Sequence, residues 1–172
     1  MKRISIDMDG VMADVYSHFI ELHKADFGET LIREQLNGKT EDEAFPALRR
    51  HVISNGFFRN TPVIENSQRI VQKLNDRFDV YIVSAAMEFP NSLVEKQAWL
   101  NEHFPFISWK QMVFCGSKAI IRADYMIDDH FKNLDYFTGE TILFTQPHNV
   151  LTDAGKHKRV TTWEEVEKIF FP

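Results

Sequence analysis

The chain has 172 residues, 44% hydrophobic and 26% charged, which is typical of one globular domain or one domain carrying an insertion. Its formal net charge of −5 indicates no broad basic surface, so duplex nucleic acid is not an expected partner. No apolar run is long enough for a membrane span, and aspartates interrupt any apolar leader. The single cysteine, Cys115, excludes an internal disulfide. We therefore predict a cytoplasmic protein with no membrane partner, and the oligomeric state stays open.

Five short segments rich in Ile, Val, Phe or Tyr are predicted to be strands. In chain order they are Arg3–Asp7, Phe78–Ser84, Gln111–Cys115, Asp124–Asp128 and Thr141–Thr145. Longer segments with apolar residues at helical spacing are Asn66–Asp76, Pro90–His103 and Thr161–Phe171. Because strands and helices alternate, the sequence predicts βαβ units, and therefore an α/β fold in three layers with a parallel sheet in the middle.

One long segment interrupts this alternation between the first and second strands. Residues 15–61 contain no strand candidate, and their apolar spacing favours helices. The predicted helices are Tyr16–Phe27, Glu29–Asn37 and Thr40–Ser54. The segment is too long for a simple crossover. We therefore predict a small helical cap, residues 15–61, inserted after the first strand of a core formed by residues 1–14 and 62–172.

Polar residues stand at the end of four of the five predicted strands. Asp7 ends the first strand and Asp9 follows it, Ser84 ends the second, Lys118 follows the third, and Asp128 and Asp129 end the fourth. In an open parallel sheet the ligand site lies at the carboxyl ends of the strands. These residues are therefore expected to converge on one crevice.

The predicted crevice contains four carboxylates and a single lysine. Like charges at short range repel and raise one another's pKa, so the arrangement requires a cation. All-oxygen ligands suit Mg²⁺, which also recruits a substrate phosphate. Lys118 and the Ser84 hydroxyl are suitable partners for phosphate oxygens, and Gly10 permits a tight turn whose amides face an anion.

Four segments, "DMDGVMAD", "VYIVSAA", "GSKAII" and "MIDDH", resemble in order the four motifs of the haloacid dehalogenase superfamily of phosphotransferases. The wider sequence is similar to the 5'(3')-deoxyribonucleotidase branch of that superfamily. The segments that carry this closer similarity are "NGFFRNTPVIENSQRIVQKL", "EKQAWLNEHF", "LFTQPHN" and "TTWEEV". The resemblance thus extends over nearly the whole chain.

The resemblance implies a role for each aspartate of the crevice. Asp7 resembles the nucleophile that forms an aspartyl-phosphate, and Asp9 resembles the general acid that protonates the leaving alcohol and then activates water. Mg²⁺ would be held by the Asp7 carboxylate, the Asp9 backbone carbonyl and Asp129, with Asp128 in support. The resemblance therefore implies a magnesium-dependent phosphomonoester hydrolase.

The resemblance also implies which residues bind the substrate. Ser84 and Lys118 would hold the transferring phosphoryl group. Lys96 resembles a lysine that the nucleotidase branch places near the site, although one residue is missing between Ser84 and Lys96. An exposed helix lysine is the alternative interpretation of Lys96.

The predicted cap departs from the branch at positions that read the base. Val15 stands where the branch usually carries Phe, and His51, a possible substrate contact, stands where it carries Trp. Ala85 replaces a second hydroxyl residue. Weak discrimination between bases is therefore expected, unless Phe27 or Phe45 supplies the stacking that the branch uses.

The other singled-out residues have structural interpretations. Asp14 is expected to cap the first cap helix, Phe57 and Phe58 to pack in a hinge or core, and His148 to lie in a loop or core rather than act as a catalyst.

Three functions remain open at this point. The first is a phosphatase of nucleoside monophosphates. The second is a phosphatase or phosphomutase of the same superfamily for another small phosphate ester. The third is a nucleotide-binding relict without catalysis, which the complete set of catalytic residues disfavours.

Overall fold

The computed structural model describes the whole chain, Met1–Pro172, and its centre is a six-stranded sheet. The strands are β1 (Arg3–Ile6), β2 (Asp79–Ser84), β3 (Met112–Phe114), β4 (Tyr125–Asp128), β5 (Glu140–Phe144) and β6 (Lys158–Val160). Their order across the sheet is β3-β2-β1-β4-β5-β6, and every neighbouring pair is parallel. The predicted parallel α/β fold is confirmed.

The helices divide between the two sides of the sheet and the cap. They are α1 (Val15–Phe27), α2 (Glu41–Ala44), α3 (Leu48–Val52), α4 (Ser67–Asn75), α5 (Ser92–His103), α6 (Phe131–Leu134) and α7 (Trp163–Phe170). Short 3₁₀ helices occur at Arg33–Leu36, Ala86–Glu88, Trp109–Gln111 and Lys118–Ile120. No helix is both long enough and apolar enough to cross a bilayer.

Successive residues of the inner strands pack into different hydrophobic clusters, one on each face of the sheet. In β4, Ile127 joins the main core with the buried residues of α4, α5 and α7, whereas Met126 packs with Leu134 of α6. Neighbouring strand side chains point to opposite faces, so a strand covered on both faces reads as an unbroken apolar run. This is why the central strands were recognisable from sequence.

The sixth strand lies outside the predicted set. β6 is a three-residue edge strand, Lys158–Val160, paired only with β5. Its residues Lys158 and Arg159 are polar because one side of an edge strand faces solvent. The segment therefore lacks the apolar run that identified the other strands.

The cap segment, residues 15–61, is helical as predicted, but its helices are shorter. Glu29–Asn37 was expected to be one helix, and only the 3₁₀ turn Arg33–Leu36 forms there. Thr40–Ser54 was also expected to be one helix, and it is divided into α2 and α3. Pro46 lies at the break. Proline has no N–H to donate and disfavours helical backbone in the residue before it, so it explains why the helix is interrupted here.

The cap segment has a hydrophobic cluster of its own, which includes Tyr16, Phe19, Phe45 and Phe57. The two connections to the core run side by side, since Asp14 N donates to Pro62 O at 2.7 Å and Ile64 N donates to Met12 O at 2.8 Å. These features agree with cap bounds at residues 15 and 61, which stay a prediction.

The first cap helix begins where the sequence predicted it. Asp14 is the N-cap of α1, and its Oδ1 accepts a hydrogen bond from Ser17 N at 3.1 Å. The same oxygen lies 3.0 Å from a guanidinium nitrogen of Arg33. Asp14 therefore satisfies a free helix amide and joins α1 to the following 3₁₀ turn.

Trp99 supplies a test of how the core holds the end of the cap. It is fully buried, and its Nε1 donates to Thr61 O at 2.7 Å. Trp99→Phe should lower the free energy of unfolding by about 2 kcal/mol or more, because it leaves a cavity and an unpaired carbonyl. Urea denaturation measures the change. Trp109→Phe is the control, since Trp109 is 71% exposed, and equal losses for the two variants would contradict the assignment.

Candidate active site

The predicted site residues meet at the carboxyl end of the sheet. Asp7 follows β1, Ser84 ends β2, Lys118 opens the 3₁₀ turn after β3, and Asp128 ends β4. All four are buried. A cavity of about 300 Å³ opens between them and the cap, and among the predicted residues Asp7, Asp9, Ser84, Lys96, Lys118 and Asp129 line it. The topology of the sheet thus brings together residues distant in sequence.

Asp7 is the central carboxylate of this cavity. Its Oδ1 lies 2.7 Å from Lys118 Nζ and accepts a hydrogen bond from Met8 N at 2.7 Å. Burial raises the pKa of Asp7 to about 7, with Asp128 and Asp9 adding to the shift and Lys118 opposing it. The group is poorly solvated and close to one positive charge, which suits a nucleophile better than a solvated carboxylate does.

Lys118 is enclosed by two carboxylates. Its Nζ lies 2.6 Å from Asp128 Oδ2, in addition to its contact with Asp7, and its side chain is almost fully buried. Burial alone would lower the pKa of Lys118, but Asp7 and Asp128 outweigh that effect and hold the pKa above its ordinary value. The lysine is therefore a fixed positive charge at the base of the cavity.

Asp128 and Asp129 are adjacent but have different surroundings. Both oxygens of Asp128 accept hydrogen bonds, from Lys118, from His130 N at 2.9 Å and from Asn133 Nδ2 at 3.0 and 3.1 Å. Asp129 Oδ1 is buried and has no hydrogen-bond partner. Burial, reinforced by Asp7 and Asp128, raises the pKa of Asp129. Asp129 has no lysine or arginine partner, and its Oδ2 lies 3.8 Å from His148 Nε2 and 4.0 Å from His130 Nε2.

The unpaired oxygen fits a cation site. One oxygen from each of Asp7, Asp128 and Asp129 lies within 4.8 Å of the others. A buried anionic oxygen without a donor is costly, and hard oxygen ligands of this kind suit Mg²⁺. The residues present thus agree with the ion that the sequence predicted.

Gly10 is required by a close approach to Asp129. Its φ is +74°, and a Cβ at this position would lie 2.3 Å from Asp129 Oδ2. A side chain here would therefore displace the carboxylate, in addition to straining the backbone.

Two polar residues that the sequence did not single out hold the loops of the site. Gln146 Nε2 donates to Gly10 O, and Asn149 Nδ2 donates to Asp129 O at 2.8 Å. His148 lies between them and its Nε2 is 2.9 Å from the same Asp129 oxygen. It is a loop residue, as predicted. The signal for this support was the polar run "TQPHN" directly after β5.

Lys96 is buried, which rules out the interpretation of an exposed helix lysine. Its side chain is 4% exposed, and its Nζ donates to Asp9 Oδ2 and, at 2.9 Å, to Ser84 Oγ. The structure therefore brings Lys96 into the site beside the phosphate-binding candidates.

Part of the cavity lining is an apolar wall. It is formed by Val15, Phe19, Leu48, Val52, Phe57 and Phe58 of the cap segment and by Phe89 of the core, and the acidic residues Glu41 and Asp42 of the cap segment also line the cavity. Phe27 and Phe45, the residues suggested for stacking, do not line the cavity: Phe27 is largely exposed and Phe45 is buried within the cap. Phe57 and Phe58 were expected only to pack in a hinge or core, and they also face the cavity.

The predicted substrate contact of His51 is corrected by the structure. His51 Nε2 lies 2.7 Å from Asp26 Oδ2 on the helix α1, and His51 is not among the residues that line the cavity. On α3 the residues that do line it are Leu48 and Val52, one helical turn apart. The His51 ring pairs with Asp26 instead.

Solved structures of low sequence identity share this fold. A haloacid dehalogenase-like hydrolase from Streptococcus pneumoniae superposes with a TM-score of 0.66 at 11% identity, covering 99% of this chain and 98% of the other. A Bacillus subtilis protein, provisionally described as a HAD-hydrolase and bound to magnesium, gives 0.61 at 14% identity, covering 98% and 97%. The fold is the haloacid dehalogenase-like fold of these structures.

Sequence comparison narrows the class to one family. The family model described as "5' nucleotidase, deoxy (Pyrimidine), cytosolic type C protein" matches residues 1–171. A 5'(3')-deoxyribonucleotidase of Bacillus subtilis is 39% identical, covering 97% of both chains. A Staphylococcus aureus protein provisionally given the same name is 42% identical, covering 98% of this chain and 95% of its own. The chain belongs to this deoxyribonucleotidase family and is a phosphoric monoester hydrolase.

The correction at His51 generates a prediction. His51→Ala should leave kcat/KM for phosphate esters within about twofold of wild type, because His51 does not line the cavity. Leu48→Ala, three residues earlier, should raise KM for esters with large leaving groups, because Leu48 lines the cavity. Steady-state kinetics on both variants measure the difference. A larger loss for His51→Ala than for Leu48→Ala would contradict the correction.

Proposed function

We propose that the protein hydrolyses deoxyribonucleoside monophosphates through an aspartyl-phosphate on Asp7, with Mg²⁺ as cofactor. The observation that carries the proposal is the position of Asp7, buried beside Lys118 in a cavity that six apolar side chains of the cap also line. A phosphoryl group and a leaving group with a flat aromatic base can be held together in such a cavity.

The proposed reaction has two steps. An Asp7 oxygen attacks phosphorus, the bond to the ester oxygen breaks, and Asp9 gives the leaving oxygen a proton. In the second step Asp9 takes a proton from water, which attacks phosphorus and releases inorganic phosphate from Asp7. Both residues line the cavity. One group thus acts as acid and then as base.

Three further side chains are suited to hold the phosphoryl group. Lys118 and Lys96 supply buried positive charge, and the Ser84 hydroxyl lies 2.9 Å from Lys96 Nζ. In a site that excludes water, fixed charges stabilise the developing negative charge on phosphoryl oxygens more strongly than they would in water. These residues touch the same atoms in any monoester, so they do not select the leaving group.

Asp7, Asp129 and the Asp9 backbone carbonyl are the groups that would hold Mg²⁺. The fit rests on the unpaired Asp129 Oδ1 and the cluster of three carboxylates. Asp128 has a different task, because its oxygens are occupied by donors that include Lys118. When bound, the cation supplies positive charge that offsets the repulsion between carboxylates and phosphate.

The leaving group must be selected by the apolar wall. Phe19, Phe57, Phe58 and Phe89 present aromatic surface to the cavity, and stacking of a base on one aromatic ring is worth about 1–3 kcal/mol. The named relatives are deoxyribonucleotidases, which supports a nucleoside as the leaving group.

The test is phosphate release from a panel of 5'- and 3'-deoxyribonucleoside monophosphates and sugar phosphates. We expect the highest kcat/KM on a deoxyribonucleotide. Asp7→Asn should lower kcat by several powers of ten on every substrate, because it removes a nucleophile with little change in volume. Glu140→Gln is a matched control, because Glu140 is the exposed first residue of β5 and lies at the amino end of the sheet, away from the site.

Two results would redirect the assignment. Near-normal turnover by Asp7→Asn would exclude the aspartyl-phosphate. Good activity on a sugar phosphate with none on nucleotides would change the proposed substrate class to sugar phosphates. Dependence on a bisphosphate primer would indicate a phosphomutase.

The metal assignment gives a separate prediction. Asp129→Asn should raise the Mg²⁺ concentration for half-maximal activity by more than about tenfold, a loss of about 1.4 kcal/mol in binding. Asp128→Asn should raise it less, because Asp128 holds Lys118 and Asn133. Calorimetric titration with Mg²⁺ measures both affinities without turnover. The reverse order would show that Asp128 is the direct ligand.

A further inference from the structure

One carboxylate of the core accepts hydrogen bonds from three backbone amides of the cap. Glu95, on α5, accepts from Gly56 N at 2.6 Å, from Phe58 N at 3.1 Å and from Arg59 N at 3.2 Å. Charge-assisted hydrogen bonds to backbone amides are stronger than neutral ones. Neither the catalytic chemistry nor the sheet uses this residue.

The amides that Glu95 holds belong to the segment that carries the aromatic wall. Phe57 and Phe58 both line the cavity, and their rings pack edge to face with centroids 4.9 Å apart. Phe58 also lies 6.1 Å from the ring of Phe89, the core residue of the same wall. A shift of this backbone would therefore move the surface that faces the leaving group.

Lys96, the next residue of α5, contacts the ring of Phe58. Lys96 Nζ lies 4.7 Å from the centroid of that ring, and the same ammonium group donates to Asp9 and Ser84. Consecutive residues of one helix thus fix the backbone of the wall and contact its ring. Lys96 thus connects the wall to Asp9, the residue proposed as the general acid.

Other contacts keep the cap in place when Glu95 is altered. Asn91 Nδ2 donates to Val52 O at 3.0 Å, and Trp99 holds Thr61 O at 2.7 Å. These anchors lie on either side of the segment 56–59. Loss of the Glu95 carboxylate is therefore expected to loosen that segment locally and leave the rest of the cap folded.

We propose that Glu95 is a positioning residue that fixes the Phe57–Phe58 wall and thereby sets recognition of the leaving group. The inference rests on the proposed nucleotidase function for its choice of substrate. It requires that Glu95 acts on binding of large leaving groups and has little influence on the transfer of the phosphoryl group itself.

Glu95→Gln keeps the size of the side chain but sets an NH₂ group against backbone N–H donors. With thymidine 5'-monophosphate we expect KM to rise about tenfold, a loss of about 1.4 kcal/mol, with kcat changed by less than about threefold. With acetyl phosphate, whose leaving group is too small to reach the wall, KM should rise by much less. Glu102→Gln is the control, because Glu102 is on the same helix and pairs only with the Arg59 side chain.

A second measurement does not depend on the substrate. Hydrogen exchange of the peptide spanning residues 54–61 should be faster in Glu95→Gln than in Glu102→Gln, with no change in the strands. If Glu95→Gln does not fold, Phe58→Leu with Glu95 intact should show the same rise in KM confined to the nucleotide.

Each outcome decides between distinct conclusions. Equal loss on both substrates would make Glu95 a purely structural residue, and unchanged KM with unchanged exchange would also overturn the proposal. Wild-type protein that hydrolyses acetyl phosphate but no nucleotide would instead refute the proposed function, and the exchange experiment would still test Glu95.

Discussion

Buried negative charge at the carboxyl end of the sheet is the constraint on which the site depends. Asp7, Asp128 and Asp129 are together, and Lys118 is the one ammonium group in contact with two of them. Removing a charge from water is expensive unless a partner compensates. The raised pKa values of Asp7 and Asp129 reflect their burial and this excess of negative charge. A crevice built this way is suited to a divalent cation, which when bound would in turn attract phosphate.

The sheet and the carboxylates could be predicted because each depends on local sequence. A strand covered on both faces, such as β4, must be apolar throughout, and polar residues directly after parallel strands must meet at one edge. The cap was less predictable, because Glu29–Asn37 and Thr40–Ser54 have helical spacing but form only short helical segments. Pro46 indicates a break between two helices, but the helical spacing of the apolar residues continues across it.

Side-chain placement within the cap and on α5 could not be predicted from spacing. Lys96 had an ordinary surface interpretation, yet it is buried, because Asp9 and Ser84 satisfy its ammonium group. His51 had a plausible place by resemblance, yet Asp26 holds its ring away from the cavity. Glu95 gave no signal at all, since its partners are backbone amides, which no residue type reveals.

The helix α5 contacts both the phosphate-binding candidates of the core and the aromatic wall of the cap. In the proposed reaction the core would hold the phosphoryl group, which is common to all monoesters, and the cap would contact the leaving group, which differs between them. Lys96 donates to Ser84 of the core and Glu95 accepts from Phe58 N of the cap, and adjacent positions on a helix share one rigid backbone. A change in the wall can therefore alter the substrate without moving the carboxylates, provided that α5 continues to hold both. In this arrangement, specificity can change while the chemistry stays constant.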